Sequence, residues 1–466
     1  MRKKKMELSL NIKSVELKNI KNVEKGKVDF FKGEQRLPEE NIIAMYGQNG
    51  TGKTAFVNAL DFLKFVMTDE LSFKDNPEKK NGFYDCLTIS EDKSEISATF
   101  IYNYNKQAFT VNYQINLERD DVAKKYVINK EKLEYSSITN NGYIQYSSRF
   151  KYDSSLLKEE MQTLNNDFIV FSKICKQRSS SYLFNSELIK EIGKKSKDKY
   201  LGKILESLQE FARMNMFIIT NKQYGMINLQ WSLPFMFRFH KLTKKDNFIV
   251  EQITSGNQSF NLNKPQKITS DFYEILSSSI DNINDVMNRI IPDTKIAIEK
   301  TVTVLDDGSK GYDVELVTLR NNKRIPMRNE STGILKIISI IQTLIAYCSF
   351  DNIFVAIDEM DAGIFEYLFG RLLGVLKTLG KGQLFFSSHN LRPLEVLDYK
   401  NIYFSTANPQ RRYIKLTNVK TNNNLRIFYL RALDLGGQKE ELYTEDDISG
   451  LKIVLKRIAY EESNPN

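Results

Sequence analysis

Eight residues, Gly47-Gln48-Asn49-Gly50-Thr51-Gly52-Lys53-Thr54, constrain this chain more than any other stretch. They match the spacing GxxxxGK[ST] at every fixed position. They also stand between a short unbroken apolar run, Ile42-Ile43-Ala44-Met45-Tyr46, and a segment of helical character from Ala55 to Val66. A buried parallel strand, a glycine turn and a helix in that order form a cradle for phosphate. The glycines let backbone N–H groups close on the phosphates, and the helix N-terminus adds partial positive charge. Lys53 would reach the β- and γ-phosphates, and the Thr54 hydroxyl would ligate Mg²⁺. The expected cofactors are therefore ATP and Mg²⁺.

The rest of such a site comes late in the chain. The apolar run Ile353 to Ile357 leads directly into Asp358-Glu359. Two adjacent acids at the end of a buried strand are costly unless they have work. Asp358 would hold Mg²⁺ through water, and Glu359 would orient and deprotonate the attacking water. A third apolar strand, Leu384-Phe385-Phe386, runs through Ser387-Ser388 to His389. An imidazole there would contact the γ-phosphate or the attacking water. The other histidine, His240, has no such context and reads as structural or surface.

Composition narrows the class without naming it. The chain has 466 residues, Lys+Arg 67 against Asp+Glu 58, a formal charge of +9, and 41% hydrophobic residues. That length suits two or three domains, each with its own core. The positive excess is mild and reads first as a solvated surface, with DNA or an acidic partner as the alternative. Two histidines and three scattered cysteines exclude a multi-histidine or zinc-knuckle site, and the sparse cysteines fit a reducing compartment. The basic start, Met1 to Lys5, is not followed by an apolar signal core, and no apolar run approaches a membrane span. The expectation is a cytoplasmic protein with no membrane partner.

Periodicity outlines the remainder. Strands are expected over residues 8–30, with turns at Asn19–Asn22 and Lys32–Glu34. One hairpin is expected over 95–119 and another over 295–305 and 312–319, around Asp306-Asp307-Gly308. Helical patterns cover parts of 155–215, then 268–290 and 331–347, and a strand pair is expected near 401–416. The expected units are an N-terminal lobe with the phosphate loop over 1–150, an inserted helical arm over 151–292, a C-terminal lobe over 293–420 and a tail over 421–466.

Together these pieces resemble the ABC-type ATPase superfamily, and within it the compact SMC- and RecF-like branch of overcoming-lysogenization-defect and phage-defence ATPases. Val15-Glu16-Leu17-Lys18-Asn19-Ile20-Lys21 looks like that branch's first strand and turn. Glu330-Ser331-Thr332-Gly333-Ile334-Leu335-Lys336 looks like its signature motif, and Asp361-Ala362-Gly363 like the loop that crosses its dimer. The resemblance implies an α/β fold: a P-loop core, an antiparallel β subdomain and an inserted compact helical domain. It also implies a homodimer or higher homo-oligomer, in which Ser331 and Gly333 of one copy act on the nucleotide gripped by Lys53 of another. Leu435-Gly436-Gly437-Gln438 resembles a transporter signature, but it follows His389 and reads as a turn. The family's Mg²⁺-sensing glutamine has two candidates, Gln162 and Gln177, and neither is assigned.

The middle of the chain carries no such signal. Its helical segments of at most about 25 residues would reach only about 38 Å, which excludes a long coiled coil. Aromatics at Tyr224, Trp231, Phe235, Phe237 and Phe239 interleave with Arg238, Lys241, Lys244 and Lys245. A nucleic-acid platform can look like that, but such spacing is more often core or interface. Past His389 there is no acidic cluster of a Toprim nuclease. The general plan is similar to the ATPase subunit of the PARIS anti-phage system, a compact ATPase beside a separate nuclease. The expected function is therefore an ATPase that gates a separate effector, a Toprim-type nuclease or a toxin. A RecF-like DNA-repair ATPase is the alternative.

Overall fold

The computed structural model describes residues 8–31, 41–68, 83–87, 93–105, 107–122, 124–138, 146–153, 174–175, 178–196, 198, 200–221, 232–245, 248–321, 323–417, 419, 424–435, 438–440, 442 and 452–458. Gln162, Gln177, Tyr224, Trp231, Gly436 and Gly437 lie outside these residues.

Strands β1 (Leu8–Ile20), β2 (Val23–Asp29), β4 (Ser94–Tyr104), β5 (Gln107–Asp120), β6 (Lys125–Ile138) and β7 (Tyr146–Asp153) form an antiparallel sheet in the order β2-β1-β4-β5-β6-β7. A second sheet carries the candidate site residues. Its order is β18-β17-β3-β16-β15-β8, from β3 (Ile42–Tyr46), β8 (Met216–Ile219), β15 (Phe354–Ile357), β16 (Gln383–Ser387), β17 (Ile402–Ser405) and β18 (Tyr413–Ile414). All its pairings are parallel except β17 with β18. The three strands that carry the phosphate loop, His389 and the acid pair are thus adjacent, as β3, β16 and β15.

Those strands read as unbroken apolar runs because both faces of the sheet are covered. Ile43, Met45, Phe354, Ala356 and Phe385 enter the core shared with the antiparallel sheet and helices α1 (Lys53–Thr68), α2 (Ser186–Lys195) and α3 (Leu201–Met214). Their chain neighbours Ile42, Ala44, Tyr46, Val355, Ile357, Leu384 and Phe386 enter a second core on the opposite face. That core contains α4 (Ser270–Ile290), α5 (Thr332–Ser349), α6 (Glu366–Leu379) and α7 (Leu425–Leu435). The two-residue strand period sorts the residues between the cores.

A buried amide helps tie the two sheets together. Gln383, 1% exposed, accepts from Ile12 N at 2.9 Å and donates to Ile12 O at 2.7 Å. Ile12 is free to do so because a β-bulge interrupts its ladder with β4 between Ile12 and Ser14.

The stretch expected to be a helical insert is mixed. It supplies α2, α3 and α4, but also the end of β7, the core strand β8 and a long hairpin of β9 (Ser232–Lys245) and β10 (Phe248–Asn261). Met216-Phe217-Ile218-Ile219 reads equally well as the end of a helix, and four residues cannot be told apart by period. Phe235, at 1% exposure, is core. A further antiparallel sheet joins β11 (Gln266–Thr269), β12 (Thr294–Val304), β13 (Lys310–Arg320) and β14 (Lys323–Pro326). Helix α5 is long and apolar enough for a membrane span, a match that reading uninterrupted apolar runs overlooked because Lys336 lies within it. It is 67% buried and packs on the sheet, as a core helix does.

Glu131 on β6 is 1% exposed. Its carboxylate accepts from the Tyr113 hydroxyl, from Ser181 Oγ at 2.6 Å and from Tyr182 N at 2.6 Å, which fastens residues 181–182 to the sheet. Burial pushes the carboxyl up, and those donors oppose the shift. Glu131→Ala would orphan three buried donors, each worth about 1–3 kcal/mol. The expected loss is about 3–5 kcal/mol in denaturant unfolding, with Glu131→Gln intermediate.

Candidate functional site

The phosphate loop takes its shape from backbone that only glycine accepts easily. Gly47, Gly50 and Gly52 have φ of 150°, 78° and 90°. A Cβ on Gly47 would overlap Ser405 Oγ, and one on Gly52 would sit 2.7 Å from Val23 Cγ2. The tip at Gly50 is open, with nothing within 4 Å of such a Cβ. Gln48 and Asn49 complete the turn.

Neighbouring elements hold the loop from outside. Thr51 Oγ1 lies 2.6 Å from Gln48 O and 2.5 Å from Ser405 Oγ, and Ser405 donates to Tyr46 O at 3.0 Å. The Tyr413 hydroxyl donates to Gly52 O at 2.7 Å, and Asn22 Nδ2 donates to Gly50 O. Arg412, 6% exposed, donates to Thr406 O at 2.7 Å and to Asn22 O, so the β1–β2 turn is fixed in place. These supports are hydroxyls, an amide and a guanidinium far away in sequence, with no motif of their own. Sequence reading missed them, although Asn22 falls in the turn expected at Asn19–Asn22.

Lys53, 6% exposed, opens α1. Its ammonium donates to the carbonyls of Gly47 at 2.7 Å and Gln48 at 2.9 Å, curling the loop around it. Burial pushes it down to about 8, against the pull of Asp358, Glu359 and Asp361. Thr54 follows in the first turn, half-buried.

The acid pair ends β15. Asp358 is 1% exposed, and Ser387 Oγ donates to its Oδ1 at 2.6 Å. The same Ser387 oxygen accepts from Glu359 N at 2.8 Å, so one hydroxyl at the end of β16 orients both acids. Glu359 has φ of 48°, a left-handed conformation rare outside glycine, and the chain turns sharply there. Such strain costs of order 1–3 kcal/mol and collects at functional sites.

Asp361 plays a part beyond the loop assignment. Its Oδ2 accepts from His389 N at 3.2 Å and Asn390 N at 3.0 Å, holding the segment that presents His389. Ser388 N donates to Met45 O at 3.1 Å, which binds that segment to the phosphate-loop strand. The His389 side chain is exposed, and partial burial first, then the charge of Lys53, lowers its imidazole below the ordinary range. A neutral imidazole can accept a hydrogen bond from water.

Ser331 and Gly333 stand apart from that cluster, at the tip of α5. Ser331 is exposed and caps the helix, accepting from Ile334 N at 3.3 Å. A Cβ on Gly333 would overlap the carbonyl oxygen of Gly363, which itself has φ of 76°. The helix tip and the loop after Glu359 are thus packed backbone to backbone. Gly333→Ala should lower stability by about 1–3 kcal/mol in thermal unfolding without nucleotide. An unchanged midpoint would show that the contact yields freely.

The residues fit Mg²⁺ with nucleotide. Asp358 Oδ2 is buried with no hydrogen-bond partner, so one hard oxygen is left for a cation. Among the described residues no group of three or more His, Cys, Asp or Glu forms a preformed metal site. That suits Mg²⁺, which takes one or two protein ligands and completes its shell with water and phosphate. Thr54 would be a ligand, and Asp358 would hold the ion through one of its waters. Bound Mg²⁺ would neutralise charge on the phosphates, Lys53 would bind them and Glu359 would take a proton from water.

Comparison with known proteins gives weak global and clear local likeness. No curated protein matches the chain. An SMC head domain bound to the C-terminal winged-helix domain of ScpA has 12% identity and a TM-score of 0.38, covering 88% of this chain and 98% of that one. An SMC head with an extended coiled coil, bound to the C-terminal domain of ScpA and derived from Pyrococcus furiosus, has 10% identity and a TM-score of 0.37, covering 96% and 99%. The SMC head domain from Thermotoga maritima has 12% identity and a TM-score of 0.34, covering 87% and 99%. Residues 42–156 match the family model described as "AAA domain, putative AbiEii toxin, Type IV TA system". That segment contains β3, the glycine-rich loop and α1, so over these residues the chain is similar to AAA-type ATPase domains.

Proposed function

We propose that this chain hydrolyses ATP with Mg²⁺ at an interface between two copies of itself, and that closure of the interface gates a separate effector protein in anti-phage defence. One observation carries the reading. Lys53, Asp358, Glu359 and His389 follow three adjacent parallel strands, whereas Ser331 stands exposed on another helix tip. Within one copy the acid, the base and the phosphate grip have supports, and the signature serine only caps its helix. A second copy would bring that serine to the γ-phosphate. The effector would be a Toprim-type nuclease or a toxin. The printed description of the matched family, which names a putative toxin of a type IV toxin–antitoxin system, supports a toxin context for residues 42–156.

Two measurements test this. Light scattering on Glu359→Gln with Mg²⁺ and ATP should give at least double the 54.1 kDa chain mass, falling back on removal of nucleotide. Co-expression of the tagged chain with its flanking genes should co-purify a nuclease or toxin whose retention differs between ATP and ADP. Elution alone in both states would refute gating. Turnover that rises on adding DNA and falls steeply with salt would instead assign the chain to DNA.

A further inference from the structure

Lys336 is a buried cation without a bond. It lies in α5, five residues after Ser331, at 2% exposure, and its Nζ has no hydrogen-bond partner. An ammonium in that position loses its hydration and gains no acceptor in exchange, which is costly. Burial pushes it down to about 8, and the charges that oppose this are Asp358, Glu359 and Asp361, so it is mostly protonated at neutral pH. The same three acids face Lys53, which spends its hydrogen bonds on the phosphate loop.

The acids are incomplete as well. Asp358 Oδ2 and Asp361 Oδ1 are both buried and without partners. Three unsatisfied atoms of opposite sign thus share one neighbourhood: two carboxylate oxygens and an ammonium near enough to feel them but not bonded to them. The helix that carries the ammonium is packed through Gly333 against Gly363, two residues beyond Asp361. An ordinary structural ion pair would have closed into a hydrogen bond. A lysine kept for packing alone would be replaced by methionine without loss.

We infer that Lys336 is a positioning residue that serves as the resident counter-cation of the Asp358–Glu359–Asp361 cluster and opposes Mg²⁺ for it, so that entry of the metal is felt by the helix that bears Ser331. The inference rests on the proposed Mg²⁺ site. A fixed positive charge beside the metal position repels Mg²⁺ through the protein interior, and coupling of this kind is commonly worth about five- to 150-fold. The lysine therefore sets the Mg²⁺ concentration at which metal and nucleotide enter together. It also balances the acids when no metal is bound.

The test reads binding, not turnover. Mg²⁺ is titrated against the full-length chain with a fluorescent ATP analogue at neutral pH, and the midpoint is compared across variants. Lys336→Met and Lys336→Gln should each lower the midpoint about tenfold, while Lys336→Arg, which keeps the charge, should stay near wild type. In calcium- and magnesium-free buffer the two neutral variants should gain more thermal stability on adding Mg²⁺ and the analogue than wild type gains. Midpoints unchanged in both neutral variants, with wild type still Mg²⁺-dependent, would overturn the role of Lys336 alone. Analogue binding by wild type that ignores Mg²⁺ would instead overturn the metal site beneath it.

Discussion

Replacing Glu359 by glutamine will slow steady-state ATP hydrolysis by about a hundred- to ten-thousandfold, the usual contribution of a positioned general base. The substitution keeps the side chain's size and the backbone bond from Glu359 N to Ser387 Oγ, so the fold and the left-handed turn remain. Mg²⁺-dependent nucleotide binding should persist, because Asp358, Lys53 and the loop are untouched. The signature of the variant is accumulation of ATP-bound, self-associated protein, measured by retained radiolabelled ATP after rapid desalting. Turnover close to wild type would remove Glu359 from the chemistry and leave the proton to another group. Loss of binding together with turnover would mean that Glu359 shapes the site and does not act as base.

Lys53→Ala should abolish measurable ATP binding at concentrations that saturate wild type. Removing one partner from a buried charge-assisted contact costs about 2–5 kcal/mol, or about 30- to 5,000-fold in affinity. Two further effects add to this. The loop carbonyls of Gly47 and Gln48 lose the ammonium that gathers them, and the acids lose a nearby cation. Lys53→Arg is not a conservative control, because a guanidinium fork does not fit a point contact made by three rotatable donors. The affinity of a fluorescent analogue, measured on a variant whose unfolding midpoint matches wild type, decides the matter.

The nucleotide half of the fold was legible for a physical reason. A phosphate loop needs glycine where φ is positive and a buried strand before it, and both requirements leave marks a few residues long. The placement of Asp358 and Glu359 at the end of a buried strand was legible because acids directly after an apolar run are anomalous. Ser387, Ser405, Tyr413, Asn22 and Arg412 were not, because each matters through a hydrogen bond to a partner distant in sequence. Ser387 is the sharpest example. It is an unremarkable serine in sequence, yet its single hydroxyl bonds both members of the acid pair.

The middle of the chain shows the opposite case. Residues 216–219 belong to the central sheet, next to the Asp-Glu strand, although they follow a helix directly. Their apolar period fits strand or helix equally, and only pairing with β15 decides between them. The long hairpin at 232–261 was hidden in the same way, since its aromatics at strand spacing were assigned to core or interface without a fold being drawn from them. Gly333 was legible as part of a motif, but its packing on Gly363 was not. That contact gives the glycine a reason to be there that does not depend on phosphate.

The account depends on a site made from two chains, and complementation between two dead variants tests it most directly. Ser331→Arg keeps an intact phosphate loop and loses the signature; Lys53→Ala keeps the signature and loses the grip. Each alone should be inactive. Mixed in equal amounts and given Mg²⁺ and ATP, they should recover hydrolysis, because one pairing of the two chains joins the surviving loop to the surviving serine. A mixture as inactive as its components, with both variants folded and associating, would contradict a shared site. Full activity of Ser331→Arg on its own would do the same.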